Sequence, residues 1–143
     1  MNLYLLHGIL NSFVFLVLFP IGALIAVFRN RLGPNWLKYH ILFQISGVVL
    51  LMVSGSIILY AHAHSAKDGK PDDDNKPEHK TSRHAIFGIA VFALVAAQIM
   101  WAYFGKKIVD WSVWLNIHTV LASVLLLVGW YQVFLGARLY KKH

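Results

Sequence analysis

The segment YLLHGILNSFVFLVLFPIGALIAVF, residues 4–28, decides the fold, because it runs from Tyr4 to Phe28 without a formal charge. It carries one histidine near its start, His7, and one interior proline, Pro20. A helix of about 20 apolar residues is long enough to cross roughly 30 Å of hydrocarbon. The segment therefore predicts a membrane-spanning helix over residues 3–28, with a kink at Pro20.

Three further apolar segments repeat this plan, and each has one histidine near its start. They cover residues 39–62, 84–104 and 112–137, and their histidines are His40, His84 and His118. Short basic loops join the first segment to the second and the third to the fourth, whereas a polar stretch, residues 63–83, joins the second to the third. We predict an all-α, integral membrane four-helix bundle of up-down-up-down topology that forms a single domain over residues 1–143.

The composition agrees with a membrane protein and restricts the chemistry of any metal site. Of the 143 residues 58% are hydrophobic, and the net charge of +7 comes from basic residues at the helix ends. Because these residues do not form one amphipathic face, we interpret them as topology signals and lipid headgroup contacts, not as a nucleic-acid site. The chain has no cysteine, so bound iron must use nitrogen or oxygen ligands.

The predicted topology sorts the four histidines by depth. With four crossings, both termini and the 63–83 loop share one face, side A, and the two short loops share the other, side B. The first and third helices enter from side A, so His7 and His84 share one depth, and His40 and His118 share the other. In such a bundle the first and third helices are diagonal neighbours, as are the second and fourth. Each same-depth pair is therefore expected to face across the centre.

Two imidazoles that face each other across a gap are the ligands that a six-coordinate b-type haem needs. The sequence therefore predicts two haem sites, one near each membrane surface. Single histidines near an interface are often only solvated or hydrogen-bonded, but one per helix in depth-matched pairs favours haem or another metal.

Glycines near three of the histidines are candidates for making room beside a porphyrin ring. At 100° per residue, Gly47 lies about 20° from His40, Gly129 about 20° from His118, and Gly88 about 40° from His84. The alternative is that these glycines let the helices pack closely, as small residues commonly do in membranes.

The remaining histidines fall in the polar loop or the tail, and we interpret them as solvated. They are His62, His64, His79 and His143. A metal site formed by them with Asp72, Asp73 and Asp74 is the alternative, although such a run of charge usually belongs to a solvated loop.

Four stretches carry a resemblance to a known family. HGILNSFVFLVLFPIGALIAVFRN (7–30), LKYH (37–40), SRHAIFGIAVF (82–92) and NIHTVLASVLLLVGWYQVFLG (116–136) resemble the four-helix core of the eukaryotic cytochrome b561 family. Members of that family are transmembrane electron carriers with two b-type haems, each held by two histidines. The resemblance implies the same pairing, His7 with His84 and His40 with His118, that the topology predicts.

The resemblance also implies the electron donor and acceptor. Family members pass electrons from cytoplasmic ascorbate to acceptors such as monodehydroascorbate or ferric iron on the far side. Lys38 matches a lysine implicated in ascorbate binding, so Lys38 with its neighbours Arg29 and Arg31 is the candidate substrate site at the His40–His118 haem. The alternative is that these three cations are interfacial anchors or partners of the haem propionates. The basic side B loops favour the cytoplasm for that face.

The predicted function is transmembrane electron transfer, with membrane lipid and small-molecule donors and acceptors as partners. The corresponding activity is that of an ascorbate-dependent or ferric reductase, for which we assign no catalytic side chain. The alternatives are a haem-bearing subunit of a larger respiratory or reductase complex and a histidine-lined metal transporter. Other subunits or a second copy of the chain are further candidate partners, and the sequence does not indicate an organelle.

Overall fold

The computed structural model describes residues 2–67 and 83–140, and within these residues the chain is helical and has no strand. Four helical segments are long and apolar enough to cross a membrane: Leu3–Val27, Trp36–His64, Arg83–Lys107 and Trp111–Leu139. The predicted all-α fold with four spans is confirmed, and the chain is an integral, multi-pass membrane protein.

The first span is interrupted by a π-helical turn. It consists of helix α1, Leu3–Phe13, the π turn Val14–Leu18, and helix α2, Phe19–Val27. In the π turn the Phe19 N–H donates to the Val14 carbonyl, five residues earlier. Pro20 follows at once, and a proline has no N–H and crowds the carbonyl four residues before it. The wider turn relieves that crowding, so the irregularity predicted at Pro20 takes the form of one extra residue per turn just before it.

The loop after the first span turns at Gly33. A short helix α3, Arg29–Leu32, precedes it, and helix α4, Trp36–Lys67, begins three residues later. Gly33 has φ 71° and ψ −166°, a backbone conformation that is open essentially only to glycine. The Gly33–Pro34 pair, a combination typical of turns, thus lies at the turn.

Helix α4 is longer than the predicted range of residues 39–62. It continues to Lys67, so His62 and His64 lie on its last turns. Alanines at 61, 63 and 66 favour the helical conformation, and the Nδ1 of His62 lies 2.9 Å from the Ile58 carbonyl oxygen. Both histidine side chains are exposed, and the rest of the predicted loop, residues 68–82, lies outside the described residues together with His79, Asp72–Asp74 and His143.

The chain divides into two compact units, residues 1–80 with 139–143 and residues 81–138. In the first unit α1, the π turn and α2 pack along α4. Its buried side chains include Phe15 and Phe19, whose rings meet edge to face at 5.4 Å, and Leu51 on α4. The single domain that the sequence predicts stays a prediction, because each unit is compact by itself.

The second unit consists of helix α5, Arg83–Phe104, a 3₁₀ turn at Gly105–Lys107, and helix α6, Trp111–Tyr140. Two tryptophans tie its helices together near the loop: the indole N–H of Trp101 donates to the Trp114 carbonyl, and that of Trp114 donates to the Trp101 carbonyl, both at 3.1 Å. Gly105 permits this arrangement, because a Cβ there would lie 2.8 Å from the Trp101 ring.

Candidate metal centre

Each unit holds two of the four predicted ligand histidines, one near each end of its helix pair. His7 on α1 lies at the open end of the first unit and His40 on α4 lies near its loop. His84 on α5 and His118 on α6 have the same relation in the second unit. All four side chains are partly buried.

His7 is held by a network of three polar groups. Its Nδ1 lies 3.0 Å from the carbonyl oxygen of Ser54 and 2.9 Å from the hydroxyl of the same residue. The Ser54 hydroxyl donates to the His7 carbonyl at 3.3 Å, and the Asn11 amide nitrogen lies 3.1 Å from Nε2. These contacts agree with one tautomer, in which Nδ1 carries the proton and Nε2 carries the lone pair.

His40 has the same kind of partner. Its Nδ1 lies 2.8 Å from the carbonyl oxygen of Gly22 on α2. Gly22 lets the helices approach here, since a Cβ would lie 3.3 Å from Cβ of Phe43 and would overlap the Gln44 side chain. A carbonyl accepts only, so Nδ1 is the donor of this hydrogen bond.

These two histidines fit haem iron. A histidine that binds a metal usually donates its second ring N–H to a carbonyl or carboxylate, which orients the ring and raises its basicity. His7 and His40 have that arrangement, with Nε2 as the donor atom. Among the described residues no group of three or more His, Asp or Glu side chains is close enough to hold a metal ion. Each of the two imidazoles could serve as one protein ligand to haem iron.

In the second unit glutamine carboxamides take the place of the carbonyls. The Gln98 amide nitrogen donates to the His118 carbonyl at 3.1 Å and lies 3.2 Å from Nδ1 of its ring. The Gln132 amide nitrogen donates to the His84 carbonyl at 2.7 Å and lies 3.4 Å from Nε2 of that ring.

The ring of His118 also stacks on a tryptophan. The centroid of the His118 ring lies 4.9 Å from that of Trp114, with 13° between the planes. The ring of Trp111 in turn stacks on that of Trp114, with 4.7 Å between their centroids. Because Trp114 is bonded to the Trp101 carbonyl, its indole is a fixed surface for the imidazole. The plane of His118 is thereby set by two neighbouring helices.

One spacing relates all four contacts. Ser54, Gln98 and Gln132 follow His40, His84 and His118 by 14 residues each, and each contacts the histidine of the neighbouring helix. Gly22 follows His7 by 15 residues, and the π turn between them absorbs the extra residue. Fourteen helical residues span about 21 Å, so each unit presents two histidine levels about that far apart along its axis. This distance lies within the roughly 30 Å of a hydrocarbon core.

Two of the three predicted glycines, Gly47 and Gly88, occupy helix contacts inside their units. A Cβ at Gly47 would overlap the ring of Phe19, and one at Gly88 would lie 3.2 Å from the Gln132 amide nitrogen. Both neighbours are side chains of the adjacent helix, as expected if Gly47 and Gly88 let the helices pack closely. Gly129 is buried. A role for the three glycines beside a haem stays a prediction. A fourth position, Gly136, lies against the His84 ring, since its Cβ would be 3.1 Å from Cε1.

The predicted anion site is exposed and basic. Arg29 and Arg31 lie on α3, and Lys38 lies on the first turn of α4, two residues before His40. The side chains of all three are exposed, and the Arg31 guanidinium lies 5.8 Å from the centre of the Phe28 ring. The turn at Gly33 therefore places three cations on the loop segment that leads to His40.

Sequence reasoning found the histidines but missed their partners. Ser54, Gln98, Gln132 and the carbonyl of Gly22 were not among the predicted site residues. The signal was the constant 14-residue offset between a histidine and a polar residue on three of the helices. The offset indicates a contact only when the two antiparallel helices of a unit are aligned with each other. In that alignment 14 residues equal the distance between the two histidine levels.

The described residues belong to an all-α membrane protein that has partly buried histidines at two levels in each unit. Comparison with known proteins agrees with this class. Three proteins of Arabidopsis thaliana, each named a cytochrome b561 and DOMON domain-containing protein, are similar to this chain. The first is 32% identical over 94 residues, which are 65% of this chain and 20% of that protein. The others are 26% identical over 136 residues and 24% identical over 139 residues, which are 91% and 92% of this chain and 31% of each relative.

The chain thus spans about a fifth to a third of the length of these curated relatives. They are distant relatives, and they support a relation to the cytochrome b561 family in general terms. No protein-family model matches the chain. No solved structure matches it either.

Proposed function

We propose that this chain is a transmembrane electron carrier of the cytochrome b561 type with two bis-histidine b-type haems. His7 and His84 hold one iron, and His40 and His118 hold the other. When bound, haem supplies a reversible one-electron couple at each level. The side chains described above bind and orient it, and the apolar helices exclude water.

The observation that carries this proposal is the state of the histidine rings in the first unit. Nδ1 of His7 and Nδ1 of His40 each face a backbone carbonyl, at 3.0 and 2.8 Å, so Nε2 is the ring atom that would bind a metal. In His7 the metal would take the place of the Asn11 amide, which lies 3.1 Å from Nε2. The same contact recurs at two levels about 21 Å apart. The names of the distant relatives point in the same direction.

The proposed donor is cytoplasmic ascorbate, and the proposed acceptor is monodehydroascorbate or ferric iron on the far side. Ascorbate gives up one electron and one proton and becomes monodehydroascorbate, and ferric iron takes up one electron and becomes ferrous. The exposed cations at Arg29, Arg31 and Lys38 suit an anionic donor, because clustered positive charge raises the local concentration of anions.

Electron transfer across sealed vesicles tests the function. Purified, haem-loaded protein is placed in vesicles that contain ascorbate, and reduction of external ferricyanide is followed. We expect reduction with the wild type, and only the background rate with His118→Ala or with protein-free vesicles. A wild type that binds both haems but does not exceed the background would contradict a transmembrane carrier. If ascorbate also fails to reduce its haems, a subunit that receives electrons from a protein partner is favoured.

Lys38 provides a test of the donor site. Changing Lys38 to Ala should leave both haems bound and slow reduction by ascorbate about 2- to 10-fold at low ionic strength, with a smaller effect at high salt because exposed charges are screened. The measurement is the stopped-flow rate of haem reduction against ionic strength. Lys107→Ala is the matched control, since that lysine lies 4.6 Å from the centre of the Tyr103 ring in the other short loop.

Equal rates for Lys38→Ala and the wild type, with normal haem content, would remove Lys38 from the donor site. Lys38 would then be an interfacial anchor, and the donor would be sought among quinols and proteins. A salt-independent decrease would also speak against charge-based docking.

A further inference from the structure

The carboxamides of Gln98 and Gln132 lie where the first unit places its hydrogen-bond acceptors. Gly22 and Ser54 present carbonyls to His40 and His7, and the corresponding positions of the second unit present glutamine side chains to His118 and His84. The correspondence comes from the common four-turn offset on each helix. The two glutamine side chains therefore lie where the first unit has its acceptors.

Both glutamines have an acceptor atom to spare. Among the described residues, Oε1 of Gln98 and Oε1 of Gln132 are buried and have no hydrogen-bond partner, and only 8% of Gln132 is exposed. Leaving a buried acceptor unsatisfied is costly, so such atoms commonly await a partner or a function. The amide nitrogens of the same groups are already bonded to the carbonyls of His118 and His84. Each carboxamide is thus anchored at the backbone of the histidine whose ring it lies beside.

We propose that Gln132 and Gln98 are positioning residues that tune one haem each. When His84 binds iron through Nε2, its Nδ1–H donates to Oε1 of Gln132, and His118 has the same relation to Gln98. This needs the carboxamide to rotate so that Oε1 instead of the amide nitrogen faces the ring, and that terminal torsion is soft. For His84 the imidazole must also turn, because its Nε2 is the ring atom that lies 3.4 Å from the Gln132 amide nitrogen. The inference rests on the proposed function, since it needs these histidines to be haem ligands.

The direction in which the reduction potential of the haem shifts should depend on the side chain at the glutamine position. An accepted hydrogen bond makes the imidazole a stronger donor to iron, which favours the ferric state and lowers the reduction potential. Replacing the glutamine by leucine removes the acceptor and should raise the potential of that haem. Replacing it by glutamate strengthens the acceptor and should lower the potential.

The experiment uses single-haem variants so that each potential is assigned. In the His118→Ala chain, which is expected to keep the His7–His84 haem, Gln132→Leu and Gln132→Glu are compared with the parent by redox titration. We expect the ferric-to-ferrous ratio at a fixed potential to change about tenfold in opposite directions, which is about 59 mV for a one-electron couple. Gln98→Leu should be silent in this chain and active in the His84→Ala chain.

Gln44→Leu is the matched control. Gln44 also donates its amide to a backbone carbonyl, that of Phe19 at 3.4 Å, but on α4 at the other level. It should leave the His7–His84 potential unchanged. The vibrational frequency of the iron–histidine modes in Raman spectra gives a second readout, and it should move with the sign of each shift.

Unchanged reduction potentials, or shifts of the same sign for leucine and glutamate, would overturn the inference about the glutamines. The proposed function would still stand in that case, because the chain would still bind haem. If the leucine variant does not take up haem, the sign of the shift in the glutamate variant decides. A wild-type chain that binds no haem would instead overturn the proposed function itself. The two failures are therefore distinguishable by haem content alone.

Discussion

Changing His118 to Ala is expected to lower the haem content of the purified chain from two to one. A six-coordinate haem that loses one of its two imidazoles keeps a single bond to the protein. The polar groups left without a partner at membrane depth also raise the free energy of the haem-bound state. His84→Ala should remove the other haem. The pairing is tested by double variants: His7→Ala with His84→Ala should keep one haem, whereas His7→Ala with His118→Ala should keep none. The measurement is haem per chain by the pyridine haemochrome assay.

The matched control for these variants is His64→Ala. His64 is exposed, its ring lies 4.2 Å from that of Tyr60 on the same helix, and it follows the second predicted span. It should retain two haems. If the His7 and His84 variants lost different haems, the proposed pairing would be wrong even though haem binding stood.

Changing Trp114 to Leu is expected to weaken binding of the His118 haem by about 10- to 100-fold, the range typical for loss of a group that orients a metal ligand. The change removes the indole surface that stacks on His118 at 4.9 Å and the hydrogen bond to the Trp101 carbonyl. Trp114→Phe keeps an aromatic surface but not the hydrogen bond, so its effect should be intermediate. The measurement is the rate of haem loss to an excess of apomyoglobin.

Trp111→Leu is the control for that experiment. Trp111 is exposed, and its ring stacks on that of Trp114. It should release haem at nearly the wild-type rate, and the His84 haem should be unaffected in all these variants. Equal losses from Trp111→Leu and Trp114→Leu would show that Trp114 does not position His118.

Much of the fold follows from the sequence because its signals are local. The uncharged runs predict the four spans, and Gly33 with Pro34 predicts the first loop, since only a glycine adopts φ 71° and ψ −166° easily. The length of α4 was underestimated because the histidines at its end read as the start of a polar loop. In the structure the helix continues through them to Lys67.

The site follows from the sequence only in part, because its partners are set by how helices align. The periodicity that puts Gly47 near the face of His40 does not reveal that the Phe19 ring lies against it. In the same way, the residues next to Gln98 and Gln132 in the sequence do not indicate that each glutamine contacts a histidine on the neighbouring helix. The π turn before Pro20 shifts Gly22 by one residue and places its carbonyl on His40, which no fixed 100° rotation predicts.

The central claim is that each chain carries two haems between paired histidines, and a haem count on the purified wild-type chain tests it most directly. A pyridine haemochrome assay, with chain concentration from amino-acid analysis, should give two b-type haems per chain, and a reduced-minus-oxidised spectrum should show low-spin, six-coordinate iron. One haem per chain, or none, would contradict the account.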